Sequence, residues 1–165
     1  MKKLFVFAIA LIFLIPLART AVAAPAVKPI GNVMRLPFKG TSQSTEIYGV
    51  NLTTMSVSAS GTGNATEIGQ FTIRYQTEVN LLDLSGVESA QLLGSNGDSL
   101  QARGVGQAVE NRTPGMFDVV EIYTITGGTG RFAGASGTVT LNRLVSVTTG
   151  ATSSSFEGYI LVPQY

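Results

Sequence analysis

The chain has 165 residues, with no cysteine, no histidine and no tryptophan, and its sparse charge is nearly balanced at 11 basic against 10 acidic residues. That composition excludes Ser/His/Asp hydrolysis, thiol nucleophiles, imidazole bases and ordinary zinc sites. Any chemistry must rest on carboxylates, tyrosines, arginines or backbone amides, and with no calcium loop of spaced acids present, no metal is expected.

Lys2 and Lys3 precede an apolar run over 4–18, broken only by Pro16, and Ala21-Val22-Ala23 supplies a small-residue cleavage site. This is the pattern of a signal peptide over 1–23 and predicts a periplasmic or secreted protein. A retained anchor is the alternative, but about fifteen apolar residues fall short of the ~20 that span a bilayer. Cleavage leaves about 142 residues, enough for one domain. The loss of Lys2, Lys3 and Arg19 leaves eight basic residues against ten acidic. With no basic patch and no run of like charge, no nucleic acid and no membrane contact after cleavage are expected.

Residues 24–32 read as an extended leader rich in Ala and Pro, and 33–165 as a single β domain. Alternation of period two recurs over 34–46, 52–61, 70–81, 88–94, 99–109, 116–126, 136–148 and 154–162. The third segment is the clearest: Phe71, Ile73, Tyr75, Val79 and Leu81 share one face, while Gln70, Arg74, Gln76, Glu78 and Asn80 share the other. Ser95-Asn96-Gly97-Asp98 contains the Asn-Gly pair of a type I′ turn, which would set Leu93 opposite Leu100. Eight strands joined by tight turns predict an all-β, eight-stranded antiparallel up-and-down barrel, which hides its edges by closing. Such a barrel either fills with side chains or holds one small ligand. An outer-membrane barrel has a similar strand count but needs a lipid-facing apolar band, which the polar strand faces do not provide.

Between the sixth and seventh strands, five glycines fall among the eleven residues 127–137. Gly128 to Ala133 matches the G-x-G-x-x-G/A dinucleotide pattern. From Ser136 onward, however, the chain alternates as a strand and opens no helix to receive a phosphate. A turn fits instead. Pairing centred on Phe132 sets Ile125 against Val139, Tyr123 against Leu141, Glu121 against Arg143, Val119 against Val145 and Phe117 against Val147. Apolar residues then meet apolar residues, the two charges meet each other, and Phe132 folds back as a plug.

The stretch Gly127-Gly-Thr-Gly-Arg-Phe-Ala-Gly-Ala-Ser-Gly137 resembles the GGTGxFxxAxG signature shared by allene oxide cyclases and dirigent proteins, which are eight-stranded barrels. Together with Glu121-Ile-Tyr-Thr-Ile-Thr and the segment 61–72, it makes the chain similar to exported bacterial proteins with an allene oxide cyclase barrel-like domain over 37–162. The resemblance implies cofactor-free chemistry, since plant members cyclise an epoxide fatty acid or steer the coupling of phenoxy radicals. It also implies a homo-oligomer, dimer or trimer. It assigns no catalytic residues here; Glu46, on the first strand, is the one counterpart it suggests.

Glu121 and Arg143 are the sharpest candidates, because an ion pair on an apolar face loses several kcal/mol per ion in desolvation and recovers it only with good geometry. They form either a strut that sets the register or an anchor for a polar or anionic head group, with Tyr123 and Tyr75 beside it. Glu121, Arg143, Tyr123, Tyr75 and Glu46 are therefore the candidate ligand-binding residues. The expected function is an exported soluble barrel holding a small hydrophobic molecule in its lumen. A cofactor-free cyclase or isomerase is the alternative, and a barrel simply filled with side chains is the third.

Overall fold

The computed structural model describes residues 31–164, so the expected signal peptide and most of the leader lie outside the described residues. Within them the alternating segments become β1 (Val33–Val50), β2 (Thr54–Ala65), β3 (Gly69–Asn80), β4 (Ser85–Gly94), β5 (Ser99–Glu110), β6 (Met116–Thr129), β7 (Ser136–Ser146) and β8 (Ala151–Pro163). A 3-10 turn at Gly130–Phe132 separates β6 from β7. Each strand pairs antiparallel with the next, and β8 returns to β1 from Val33 opposite Pro163 to Thr45 opposite Ala151. Closure leaves no open sheet edge.

Up-and-down order puts the β1–β2, β3–β4, β5–β6 and β7–β8 turns at one end, the mouth. The other three turns gather at the opposite end, the base. The base is packed: Leu100 and Ile160 are fully buried, Phe38 and Phe156 lie 5.4 Å apart between ring centroids, and Phe71 lies 6.3 Å from Phe156. Each such side chain contributes roughly 1.5–3 kcal/mol through removal of apolar surface from water. Phe132 is buried among them as the expected plug.

Two expected registers are corrected. Across β6 and β7, Tyr123 faces Val139, Glu121 faces Leu141, Val119 faces Arg143 and Phe117 faces Val145, a slip of two residues from the symmetric pairing. The centre of the connection is Arg131, the middle residue of the 3-10 turn Gly130–Phe132. A slip of two keeps every side chain on its predicted face; it only makes Glu121 and Arg143 diagonal neighbours.

The β4–β5 loop has three residues instead of two. The Gly94 N–H donates to the Asp98 carbonyl at 2.8 Å, and Gly97 takes the left-handed conformation at φ 88°. Leu92 rather than Leu93 therefore faces Leu100, and Leu93 points to solvent. The outer wall carries the hydroxyls of Ser56, Ser58 and Ser60, and also an exposed apolar row, Val87, Val105 and Ile122, in direct register across β4, β5 and β6.

Arg131 ties the base together. Its Nε pairs with Asp98 at 2.7 Å and its Nη2 donates to the Glu67 carbonyl at 3.0 Å, so one side chain links three turns. Gly130 makes this possible: its φ is +59°, and a Cβ there would collide with the Asp98 carboxylate. Gly69 has a similar φ of +71° but open space around it. Gly130→Ala should therefore lose about 2–4 kcal/mol and Gly69→Ala only ~1 kcal/mol, compared by urea midpoints at equal slope. Equal losses would show that the clash with Asp98 is relieved at no cost.

Candidate functional site

Halfway along the lumen the inward-facing positions stop being apolar. On β1 the inward series runs Phe38, Ser42, Glu46; on β4 it runs Glu88, Ala90, Leu92; on β6 it runs Glu121, Tyr123, Ile125; and on β7 it runs Val139, Leu141, Arg143, Val145. Each series obeys the pleat, so the charged residues arrive in the lumen by the same alternation that delivers the leucines.

Arg143 is the centre. Its Nη1 donates to Glu46 Oε1 at 3.1 Å, and its Nη2 donates to Glu88 Oε2 at 2.9 Å and in closer contact to Glu121 Oε2. The guanidinium also stacks on Tyr75, 4.4 Å from the ring centroid. Around this core the Tyr75 hydroxyl donates to Glu46 Oε1 at 2.7 Å, Tyr48 to Glu46 Oε2 at 2.7 Å, Thr77 to Glu88 Oε2 at 2.6 Å, and Tyr123 to Glu88 Oε1. Strand β5 supplies the space: Gly104 faces Tyr123 and Gly106 faces Glu121 across the β5–β6 pairing. A Cβ at Gly104 would lie 2.7 Å from the Tyr123 ring, and one at Gly106 would meet the Glu121 side chain.

The cluster divides the lumen. Towards the base lies a small cavity of about 40 Å³, edged by the hydroxyls of Ser42, Ser44, Thr152 and Ser154. Ser42 and Ser154 are hydrogen-bonded at 2.6 Å, and Ser44 bonds both Tyr75, at 3.1 Å, and Thr152, at 3.2 Å. Towards the mouth lies a chamber of about 340 Å³. Its walls are apolar, including Met55, Val57, Val79, Phe117, Val119 and Val145, and its floor is Glu46, Tyr48, Glu121 and Arg143. That volume sits at the small end of the range for ligand cavities.

Three carboxyl groups surround one guanidinium, so the set would carry a charge of −2 if all three were ionised. Holding it at that charge in a low-dielectric lumen is unfavourable, and one acid keeps its proton. Burial pushes Glu121 up to about 8; Arg143 opposes the shift and the charge of Glu88 adds to it. Desolvation likewise raises the hydroxyls of Tyr75, Tyr123 and Tyr48. Arg143 is held above its ordinary value, since the attraction of Glu88 and Glu121 outweighs the desolvation that opposes it.

All five residues singled out from the sequence meet here: Glu121, Arg143, Tyr123, Tyr75 and Glu46. Glu88, Tyr48 and Thr77 were missed. Glu88 was visible in principle, since it is in phase with Ala90 and Leu92, and an acid on an apolar phase carries the same signal that singled out Glu121. The symmetric register concealed it by supplying Arg143 with a complete partner.

No family model matches the chain, and no curated protein does. Solved structures match. The pterocarpan synthase dirigent protein GePTS1 superposes with a TM-score of 0.56 at 13% identity, over 89% of this chain and 99% of that one. The pterocarpan synthase dirigent protein PsPTS1 superposes with a TM-score of 0.52 at 12% identity, over 81% and 97%. The barrel is dirigent-like. At this identity the likeness is one of fold, so the chemistry of this dirigent-like barrel must be argued from its own lumen.

Glu121 makes stability depend on pH with a definite sign. Its folded value is raised from 4.5 to about 8, so the stability it contributes is whole below about pH 4.5, declines as pH rises, and is gone above about 8. In Glu121→Gln the group is neutral throughout. The unfolding free energy of the wild type minus that of the variant should fall on the order of a few kcal/mol across that window, measured by urea unfolding at several pH values. A pH-independent difference would place the retained proton elsewhere.

Removing the cation should be worse than removing an acid. Arg143→Met leaves three buried carboxyls facing each other and should lose about 3–5 kcal/mol at neutral pH. Adding Glu88→Gln in the same chain, which removes one of the acids Arg143 held, should restore part of that loss, read from urea midpoints.

Proposed function

We propose that this chain is an exported barrel that takes one small apolar molecule into the mouth chamber and seats its polar end on the Glu121–Arg143 floor. The observation that carries this is the chamber: apolar walls, an opening bordered by the mouth-end residues Leu81, Leu84 and Val147, and a floor of fixed polar groups. A barrel filled only for stability would continue its packing to the mouth, as the base does. The dirigent-like fold supports the same view at the level of architecture.

A second reading, a cofactor-free cyclase or isomerase, is favoured by one specific feature. Glu121 is a carboxyl group that keeps its proton at neutral pH while facing the chamber, the arrangement a general acid requires. In an isomerisation it would lend that proton to a substrate oxygen and recover a proton at the end, so no co-reactant is consumed. Both readings need the chamber, and only the second needs turnover.

The neutral dye Nile red provides the test. Its emission should rise and shift to the blue on binding the wild-type chain. In Ala108→Phe, where a large ring replaces a small side chain lining the chamber, its affinity should fall about tenfold or more with the fold retained. Binding unaffected by that substitution would locate the dye, and the proposed site, outside the lumen.

A further inference from the structure

The floor of the chamber carries information about the charge of its ligand. The Arg143 terminal nitrogens already donate to Glu46, Glu88 and Glu121, so the guanidinium is engaged before any ligand arrives. Both oxygens of Glu46 accept hydrogen bonds from tyrosines, and both oxygens of Glu88 are likewise engaged. Glu121 differs. Its Oε2 accepts from Arg143 and its carboxyl lies within hydrogen-bond reach of Glu88, while Oε1 accepts from no donor among the described residues. Oε1 is not sealed away as an unsatisfied buried atom, and Glu121 lines the mouth chamber.

From this geometry we infer that the ligand is uncharged and ends in an accepting oxygen, such as a ketone or ether, which takes a hydrogen bond from the Glu121 carboxyl. The inference rests on the proposed lumen site and adds its selectivity. A carboxylate-terminated ligand would place a fourth acidic group against a single engaged guanidinium in a low-dielectric space, where like charges are not screened. An anionic head group, one of the options the sequence left open, is thereby rejected.

A proton on Oε1 completes the arrangement: Oε2 accepts from Arg143, and the oxygens of Glu88, also within reach, already accept from Tyr123, Thr77 and Arg143, so the donor is left for an accepting ligand. The groups facing Glu121 are Glu46 and Tyr48 from β1, Tyr75 from β3, Glu88 from β4, Tyr123 from β6 and Arg143 from β7. Strand β5 presents only Gly104 and Gly106 at this level. The tyrosines and Arg143 are all held above their ordinary values and keep their protons through the neutral range. Ionisation of Glu121, which centres near 8, would convert the donor into an acceptor and release the ligand.

The test uses three molecules with one apolar body: 2-decanone, decanoate and decylammonium, each displacing Nile red from the purified chain. At about pH 6.5 the ketone should bind about tenfold or more tighter than decanoate. Raising the pH to about 9.5 should weaken the ketone by about tenfold, since most of Glu121 is then ionised. In Glu121→Gln, whose amide still donates, ketone binding should lose its pH dependence. Decanoate binding as tightly as the ketone, decylammonium binding tightest at about pH 6.5, or pH dependence surviving in Glu121→Gln would each overturn the inference while leaving a lumen binder. If none of the three displaces the dye, the lumen site itself fails and the inference falls with it.

Discussion

Arg143 is the constraint on which the lumen depends. One guanidinium, fully surrounded, organises acids that come from β1, β4 and β6, strands spread around the barrel. Arg143 lies on β7, next to β6 but not to β1 or β4, so its contacts with Glu46 and Glu88 run across the interior, where backbone hydrogen bonds cannot reach. The base is held by apolar packing and by the Arg131 lock, and the wall by ladder bonds. The middle is held by charge, and because charge in a dry interior is unfavourable unless matched, the geometry there has little freedom.

The glycines make sense against that constraint. On β5 they stand opposite Glu121 and Tyr123, and their missing side chains let those two residues reach inward. At the base, Gly130 lets Arg131 approach Asp98. A glycine-rich signature that looked at first like a phosphate cradle is a device for joining turns. The residues that carry family resemblance therefore report on how the barrel closes and are silent about what it holds. Likeness at 13% and 12% identity is accordingly informative on the wall and uninformative on the floor.

How much of this was legible follows from what a periodic pattern can encode. Alternation identifies a strand and its inward face with no knowledge of neighbours, which is why all eight strands, closure and the Phe132 plug could be read. Register depends on loop conformation, which a turn motif specifies only loosely. A three-residue loop in place of a two-residue one exchanged Leu92 for Leu93, and a connection centred on Arg131 instead of Phe132 moved β6 against β7 by two positions. The site tolerated the second error because an even slip preserves the face. Cross-lumen contacts are different: nothing local to Glu46 or Glu88 indicates that Arg143 lies opposite, since 97 and 55 residues separate them. Glu46 was suggested only through the resemblance, and Glu88 was passed over once a neighbouring strand had supplied Arg143 with one acid.

The composition of the cluster bears on why it is there. A structural strut needs one acid for one base, and an apolar replacement of similar volume would often be as stable or more so. Here one base holds three acids, a ratio that leaves the group short of positive charge and forces a proton onto Glu121. That surplus is a poor way to stabilise a small domain without disulfides. It is a direct way to place a neutral carboxylic acid at the bottom of an apolar chamber, because the same burial that raises Glu121 also shields whatever it contacts from water. The unmatched acid is thus the feature that a stability account leaves over and a binding or proton-lending account uses.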